Sequence, residues 1–150
     1  MSRVQLALNV PHIDQAVDFY SKLFATEPNK RRPGYANFAI ADPPLKLVLF
    51  EDPTAELRLN HLGIEVPDSD AVWTHQRRLA DEGVASVEES GTCCFAEQDK
   101  VWVDGPDGAW EIYTVLADSD AFGQASITSD PGEGALGCAS VPEAEARCCG

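Results

Sequence analysis

The sequence is poor in basic residues, in histidine and in long apolar runs. Lysine and arginine number 11 against 25 aspartates and glutamates, so the formal net charge is −14. Because nucleic acids and anionic membrane surfaces repel so acidic a protein, we exclude both as partners. No apolar run approaches membrane-spanning length, and the first residues lead into a strand pattern rather than the apolar core of a signal peptide. We therefore expect a cytoplasmic protein.

Cysteine is also scarce, with five in 150 residues. In a reducing compartment these are not expected to form a structural disulfide framework. Their placement is uneven, because two adjacent pairs and one single residue account for all five: Cys93 with Cys94, Cys148 with Cys149, and Cys138. The length and the 44% hydrophobic content fit one ordinary globular domain with a real core.

Two similar halves make up most of the chain. Residues 1–58 and 59–117 each read as a strand, a helix and then several strands, and the two halves begin alike, with Gln5 and His61 at matching places on their first strands. A repeated βαβββ unit has too little core by itself, so the two units are expected to pack together into a single domain over residues 1–120.

The C-terminal part of the chain has a different composition. From about Ala121, glycine, serine, proline and acidic residues dominate and no periodicity is left. Such a segment buries too little apolar surface to offset its ordering entropy, so residues 121–150 are predicted to form a disordered tail that carries Cys138, Cys148 and Cys149.

Three polar residues are candidate metal ligands. Gln5 and His61 lie on the first strands of the two halves, and Glu111 lies on the last strand of the second half, between Trp110 and Ile112. Amide oxygen, imidazole nitrogen and carboxylate oxygen together bind divalent first-row metals and leave positions open for other ligands. Burial of a glutamate carboxylate also costs free energy unless a cation lies beside it. The alternative is structural: a hydrogen-bonded strand histidine and a polar inward-facing glutamine.

The Cys93–Cys94 pair is a candidate site for a thiophilic guest. Thiolate sulfur selects soft centres, and two neighbouring thiolates suit trivalent arsenic or antimony, or a soft ion such as cadmium. Placement after Gly91-Thr92, in what reads as a loop, favours this function. Two other interpretations are open, namely two small, partly buried apolar residues or a strained vicinal disulfide. Our hypothesis is that the thiols hold a substrate and present it to a metal held partly by Glu111.

The pattern resembles a known group of proteins, the vicinal oxygen chelate superfamily, which includes glyoxalase I, extradiol dioxygenases and antibiotic-resistance proteins. The general resemblance rests on the paired βαβββ halves, the first-strand ligand positions and the Gly105-Pro106-Asp107-Gly108 turn before Glu111. Within the superfamily the sequence looks like the organoarsenical carbon–arsenic lyases and the similar cadmium-induced proteins. The segments that carry this narrower resemblance are Val4–Val10, Lys46–Leu49, Asn60–Gly63, Thr92–Ala96, Asp99–Val103 and Trp110–Leu116.

The resemblance implies an α+β fold in which paired βαβββ modules form a metal-binding cleft. It also implies an Fe(II)- and O2-dependent enzyme that cleaves the carbon–arsenic bond of trivalent organoarsenicals, such as methylarsonous acid, and releases arsenite. Carried over by position, Gln5, His61 and Glu111 become the iron ligands, and Cys93 and Cys94 the arsenic ligands. Nickel, cobalt, manganese or zinc would fit the same metal site in a purified sample. We expect a monomer or homodimer.

One departure from the superfamily pattern is Gln5, because many members have histidine there. Two other functions stay open. The first is a non-catalytic protein that binds arsenic, antimony or cadmium through Cys93 and Cys94. The second is a glyoxalase-like metalloenzyme, which would expect a richer ligand set than Gln5 provides and gives the cysteine pair no role.

Overall fold

The computed structural model describes residues 1–123 and 126–128. Two helices and nine strands are present in these residues, and they follow the α+β order βαβββ twice, with one further strand at the end. The strands are β1 (Arg3–Val10), β2 (Lys30–Arg32), β3 (Tyr35–Ile40), β4 (Leu45–Glu51), β5 (Leu59–Glu65), β6 (Val87–Cys93), β7 (Ala96–Gly105), β8 (Gly108–Asp118) and β9 (Ser126–Thr128). The helices are α1 (Ile13–Phe24) and α2 (Ser69–Asp81).

The chain divides into two compact units, and the first runs from Arg3 to Gly63. Its strand order is β2-β3-β4-β1-β5, with β1 and β4 parallel and β2, β3 and β4 antiparallel. Alternation along the strands separates two faces. One face packs on α1 through a buried apolar cluster of Val10, Ile13, Val17, Ala36, Phe38, Ile40, Leu47 and Leu49. The other face of β1 carries Gln5, which is therefore turned away from the apolar core.

The second unit begins at Ile64 and also includes Met1–Ser2. Its strands are antiparallel in the order β8-β7-β6-β9. One face of this sheet packs on α2 through the buried residues Val66, Val72, Val101 and Ile112. The register places six other side chains on the opposite face, because directly opposed residues share a face: Glu89, Cys93, Lys100, Trp102, Glu111 and Tyr113.

Local features of the sequence account for where the helices and one hairpin begin or end. The side chain of Asp68 caps α2 by accepting a hydrogen bond of 2.8 Å from the Ala71 amide, and Gly83 follows the helix at φ 76°. The Gly105–Gly108 turn joins β7 and β8. Asp14 suits an N-cap by residue type but does not cap α1: the helix begins at Ile13, with His12 at the N-cap position and no side-chain cap, so Asp14 lies in the first turn.

The cysteine segment differs from the loop that the sequence predicted. Gly91, Thr92 and Cys93 belong to β6, and Cys94 and Phe95 make the turn into β7, which begins at Ala96. The physical reason is pairing: Cys93 and Ala96 face each other across the hairpin, so only two residues are left for the connection.

The segment predicted as tail contains one strand that the sequence analysis did not foresee. Ser126–Thr128 form β9, which pairs antiparallel with Glu88–Ser90 of β6. Backbone pairing along an open edge of β6 needs no apolar periodicity, so no pattern in the sequence indicates this strand. The three cysteines predicted to lie in the tail are outside the described residues. Among the described residues, neither helix has the length and apolar character needed to cross a membrane.

Candidate functional site

Gln5 and His61 are brought together in the first unit. Gln5 Nε2 lies 3.0 Å from His61 Nε2, and both residues are buried, with exposed fractions of 4% and 3%. The other ring nitrogen, His61 Nδ1, lies 2.7 Å from Asn60 Oδ1. The two residues that the sequence placed at matching positions therefore converge, and each ring nitrogen of the histidine has an amide beside it.

Glu111 lies in the second unit, where a lysine accompanies it. Lys100 Nζ lies 2.8 Å from Glu111 Oε2, and both side chains are buried. The ammonium also lies over two aromatic rings, 5.3 Å from the centroid of Trp102 and 6.0 Å from that of Tyr113. The buried Glu111 carboxylate therefore has a cationic partner within the chain, namely the Lys100 ammonium.

A second buried carboxylate, Glu89, shares this face. Glu89 Oε2 accepts a hydrogen bond of 2.7 Å from Trp102 Nε1, whereas Oε1 is buried without a hydrogen-bond partner. Burial raises the pKa of Glu89 above its ordinary value, and the nearby Cys93 and Glu111 add to the effect. The Lys100 ammonium and the Trp102 hydrogen bond oppose that shift but do not cancel it.

The two candidate thiols meet at the β6–β7 turn. Cys93 Sγ and Cys94 Sγ are 3.2 Å apart, far beyond the S–S bond length of about 2.05 Å, so both are thiols and the vicinal disulfide is not formed. Cys93 is fully buried and Cys94 is partly exposed. The Cys93 sulfur therefore lies in the protein interior near Glu89, and the Cys94 sulfur is accessible to an incoming molecule.

The turn that carries these thiols has an unusual backbone. Both connecting residues have positive φ, 54° at Cys94 and 62° at Phe95, a combination that two-residue hairpins normally fill with asparagine and glycine. Neither residue is glycine, so the conformation costs free energy that the surrounding contacts offset. Three such contacts come from the segment after β8: Ser119 N donates to Phe95 O at 2.9 Å, the rings of Phe95 and Phe122 lie 5.4 Å apart, and Gly123 is packed against Thr92.

The roles of Glu89, Lys100 and Asn60 are visible only in the structure. Glu89 and Lys100 lie in polar stretches, where charged residues usually face water, and only the register shows that both belong to the buried face. Strand alternation is the one sequence signal for these two residues. Lys100 is two residues before Trp102 and Glu89 is four residues before Cys93, so each shares a strand face with that residue. Asn60 is next to His61 in the sequence, but its hydrogen bond to Asn9 depends on how β5 lies against β1.

The donor set can be weighed against a divalent metal by its chemistry. Gln5 and His61 bring a side-chain amide and an imidazole nitrogen together, and Glu111 offers a carboxylate. Amide oxygen, imidazole nitrogen and carboxylate oxygen are ligand types that iron, manganese, cobalt and nickel accept. In the part of the chain that the structure describes, no three histidine, cysteine, aspartate or glutamate side chains form a metal site. Any site of three side chains built around His61 in this part of the chain therefore needs a ligand of another type, such as Gln5.

Comparison with known proteins identifies the family. Residues 3–111 match the family model for the Glyoxalase/Bleomycin resistance protein/Dioxygenase superfamily. The chain is 59% identical over 136 residues to the cadmium-induced protein CadI of Mycobacterium tuberculosis, covering 89% of this chain and 90% of that protein. It is likewise 59% identical over 128 residues to a trivalent organoarsenical cleaving enzyme of Thermomonospora curvata, covering 83% and 85%.

Solved structures share the fold at low sequence identity. The crystal structure of methylmalonyl-CoA epimerase from Mycobacterium tuberculosis matches with a TM-score of 0.54 and 17% identity, covering 75% of this chain and 86% of that one. These matches agree with the order of helices and strands described above. The chain belongs to the glyoxalase/bleomycin resistance protein/dioxygenase superfamily, the vicinal oxygen chelate group that its sequence resembles.

Proposed function

We propose that this protein is a carbon–arsenic lyase that acts on trivalent organoarsenicals with Fe(II) and O2. The observation that carries the proposal is the pair of thiols 3.2 Å apart on a strained two-residue turn. Two sulfurs at one point suit a trivalent metalloid, which takes two thiolates at once. The 59% identity to a protein named as a trivalent organoarsenical cleaving enzyme supports the same substrate class.

Capture of the substrate needs no redox step. A methylarsonous acid molecule carries two hydroxyls on arsenic, and Cys93 and Cys94 replace them. Two arsenic–sulfur bonds form, two arsenic–oxygen bonds break, and the two thiol protons leave with the hydroxyls as two molecules of water. The partly exposed Cys94 meets the substrate first, and the buried Cys93 then closes the chelate. The second arsenic–sulfur bond forms intramolecularly, so the effective concentration of the Cys93 thiol at the bound arsenic is high.

Gln5, His61 and Glu111 are the proposed iron ligands. Iron(II) bound there would supply activation of O2 for oxidative cleavage of the carbon–arsenic bond. The protein contributes the ligand atoms, namely Gln5 Oε1, His61 Nε2 and a Glu111 carboxylate oxygen. Lys100 Nζ donates to Glu111 Oε2 at 2.8 Å and so orients the carboxylate, and the rings of Trp102 and Tyr113 lie beside the same ammonium.

Arsenic speciation tests the proposal. Protein reconstituted anaerobically with Fe(II) is mixed with methylarsonous acid and then exposed to O2, and arsenite release is measured together with O2 uptake. We expect release by the wild type and none by Cys93→Ser or Cys94→Ser. The control is Cys148→Ser/Cys149→Ser, which changes the chain's other adjacent cysteine pair and should retain release. A folded, iron-loaded wild type that releases no arsenite would refute the lyase function.

Metal binding is tested separately by thermal stability. A ligand present at 100 times its Kd stabilises the folded state by about 2.7 kcal/mol. We expect Fe(II) to produce this gain in the wild type and not in His61→Ala or Glu111→Gln. His12→Ala, at an exposed position before α1, should respond like the wild type. An equal response in all four proteins would remove these residues from the metal site.

A second function is favoured by one observation, the 59% identity to a cadmium-induced protein over 136 residues. In that case the thiols sequester a metalloid or cadmium without turnover. Binding of one equivalent of methylarsonous acid or Cd(II) by Cys93 and Cys94, with no arsenite formed in the presence of Fe(II) and O2, would support sequestration over catalysis.

A further inference from the structure

A chain of three hydrogen bonds leads from a backbone carbonyl to His61. Asn9 Nδ2 donates to Leu57 O at 3.1 Å, Asn60 Nδ2 donates to Asn9 Oδ1 at 2.8 Å, and Asn60 Oδ1 lies 2.7 Å from His61 Nδ1. All of these residues lie in the first unit. The proposed function uses His61 but assigns no role to either asparagine.

The direction of this chain is fixed at its far end. A backbone carbonyl only accepts, so the atom of Asn9 that faces Leu57 O must be the NH2 group. Asn9 therefore turns its oxygen toward Asn60, and that oxygen in turn requires the NH2 group of Asn60. The oxygen of Asn60 is then left facing His61 Nδ1, and because this oxygen only accepts, Nδ1 must carry a proton.

The other ring nitrogen follows from the first. A neutral imidazole has one proton, so with Nδ1 protonated the Nε2 atom carries a lone pair. The Gln5 NH2 group lies 3.0 Å from Nε2 and can donate to it, so the amide assignment of Gln5 agrees with that of the two asparagines. Because His61 is buried, these side chains rather than bulk water decide the tautomer.

We propose that Asn60, oriented by Asn9, is a positioning residue that holds His61 in the Nδ1–H tautomer and so keeps Nε2 as its metal-binding atom. Gln5 covers that atom through its NH2 group while no metal is bound. Metal entry requires the Gln5 amide to turn by half a rotation, which presents Oε1 in place of Nε2. The metal part of this inference rests on the proposed function, whereas the tautomer part does not.

The tautomer is measured directly by 15N NMR of the His61 ring in the full-length, metal-free protein. We expect a protonated Nδ1 and an unprotonated Nε2 in the wild type. Asn60→Leu removes the acceptor and should produce a mixture of tautomers, whereas Asn60→Asp keeps an acceptor oxygen and should retain the wild-type tautomer. Asn9→Ala releases the Asn60 amide and provides a milder variant if Asn60→Leu does not fold.

The matched control is Asn29→Ala. Asn29 Nδ2 donates to Asn37 Oδ1 at 3.2 Å, so this variant also removes an amide–amide hydrogen bond from the first unit but does not touch His61. Its His61 signals should equal those of the wild type. A wild-type His61 with Nε2 protonated, or an Asn60→Leu variant with an unchanged tautomer, would overturn the inference.

Metal affinity is the second measurement. Partners of a metal-bound histidine typically change affinity tenfold to a hundredfold when they are removed. We expect Asn60→Leu to bind Fe(II) about 10 to 100 times more weakly under anaerobic conditions, and Asn29→Ala to bind it as the wild type does. If the tautomer changes while the Fe(II) affinity does not, His61 Nε2 is not a metal ligand. That outcome overturns the metal part of this inference and the proposed ligand set. It leaves the control of the His61 tautomer by Asn9 and Asn60 in place.

Discussion

Lys100 Nζ lies 2.8 Å from Glu111 Oε2, and both side chains are almost completely buried on one face of the second unit's sheet. Glu89 is on the same face, directly opposite Lys100 across the β6–β7 pair. One ammonium is therefore paired with one buried carboxylate and lies opposite another, and Lys100 is the only lysine or arginine among the buried residues that the structure describes. This arrangement makes the charge balance of the face depend on a single residue.

Lys100→Met should destabilise the protein strongly. Removal of one partner from a buried ion pair typically costs about 3–5 kcal/mol, because the remaining charge is left uncompensated. Lys22→Met is the matched control, since Lys22 pairs with Asp18 on the exposed surface of α1 and should cost less than about 1 kcal/mol. Urea unfolding of the metal-free proteins measures both, and similar losses in the two variants would contradict the role of Lys100.

Glu89→Gln should change the dependence of stability on pH. Because the folded-state pKa of Glu89 is raised, the folded protein binds this proton more tightly than the unfolded chain does. The contribution of Glu89 is therefore fully present below the ordinary glutamate pKa of about 4.3 and is lost as pH rises through the raised value. Glutamine keeps an oxygen for the Trp102 N–H but does not titrate.

Unfolding free energies of the wild type and Glu89→Gln, measured at several pH values, test this point. The difference should move in favour of the glutamine variant as pH rises from about 4.3 into the neutral range. Glu97→Gln, at an exposed position of β7, is the matched control. A pH-independent difference between the wild type and Glu89→Gln would show that burial does not raise the pKa of this carboxyl group.

Cys94→Gly should stabilise the hairpin while it removes a substrate ligand. A non-glycine residue in the left-handed region costs about 1–2 kcal/mol, and glycine adopts positive φ without that cost. Cys94→Ala is the control, because it removes the same sulfur but keeps the strained residue type. We expect the glycine variant to be more stable than the alanine variant by about 1 kcal/mol in urea unfolding, with arsenic capture lost in both. Equal stability would mean that the turn holds no strain at this position.

Gly123→Ala should displace the segment that covers the cysteine hairpin. A Cβ at Gly123 would clash with Thr92 O, a backbone atom that cannot move aside without moving β6. Gly83→Ala is the matched control, since Gly83 also has positive φ but has no atom within 4 Å of the added Cβ. The difference between the two variants therefore isolates the clash, and we expect Gly123→Ala to be less stable by about 1–3 kcal/mol more than Gly83→Ala.

Alkylation of Cys94 provides a second measurement on the same variants. Displacement of residues 119–123 loosens the contacts of Phe95 with Ser119 and Phe122, so Cys94 should react faster in Gly123→Ala than in the wild type. Gly83→Ala should react at the wild-type rate. Unchanged reactivity in Gly123→Ala would mean that this segment does not control access to the thiols.

The sequence by itself determined the fold class and the order of helices and strands. Alternating apolar residues on β1 and the Asp68 cap of α2 are local signals, and each depends only on neighbours within a few residues. The correspondence of Gln5 and His61 was likewise visible in the sequence, because the two halves repeat the same pattern.

Only the tertiary structure decided which polar side chains share a buried face. Lys100 pairs with Glu111 across β7 and β8, and Asn60 donates to Asn9 across β5 and β1, through contacts between strands that no local pattern records. The same is true of β9, which forms on β6 although its own residues have no apolar periodicity. The physical reason is register: a shift of one residue would turn every one of these side chains to the other face, and register is fixed by long-range packing rather than by the residues nearby.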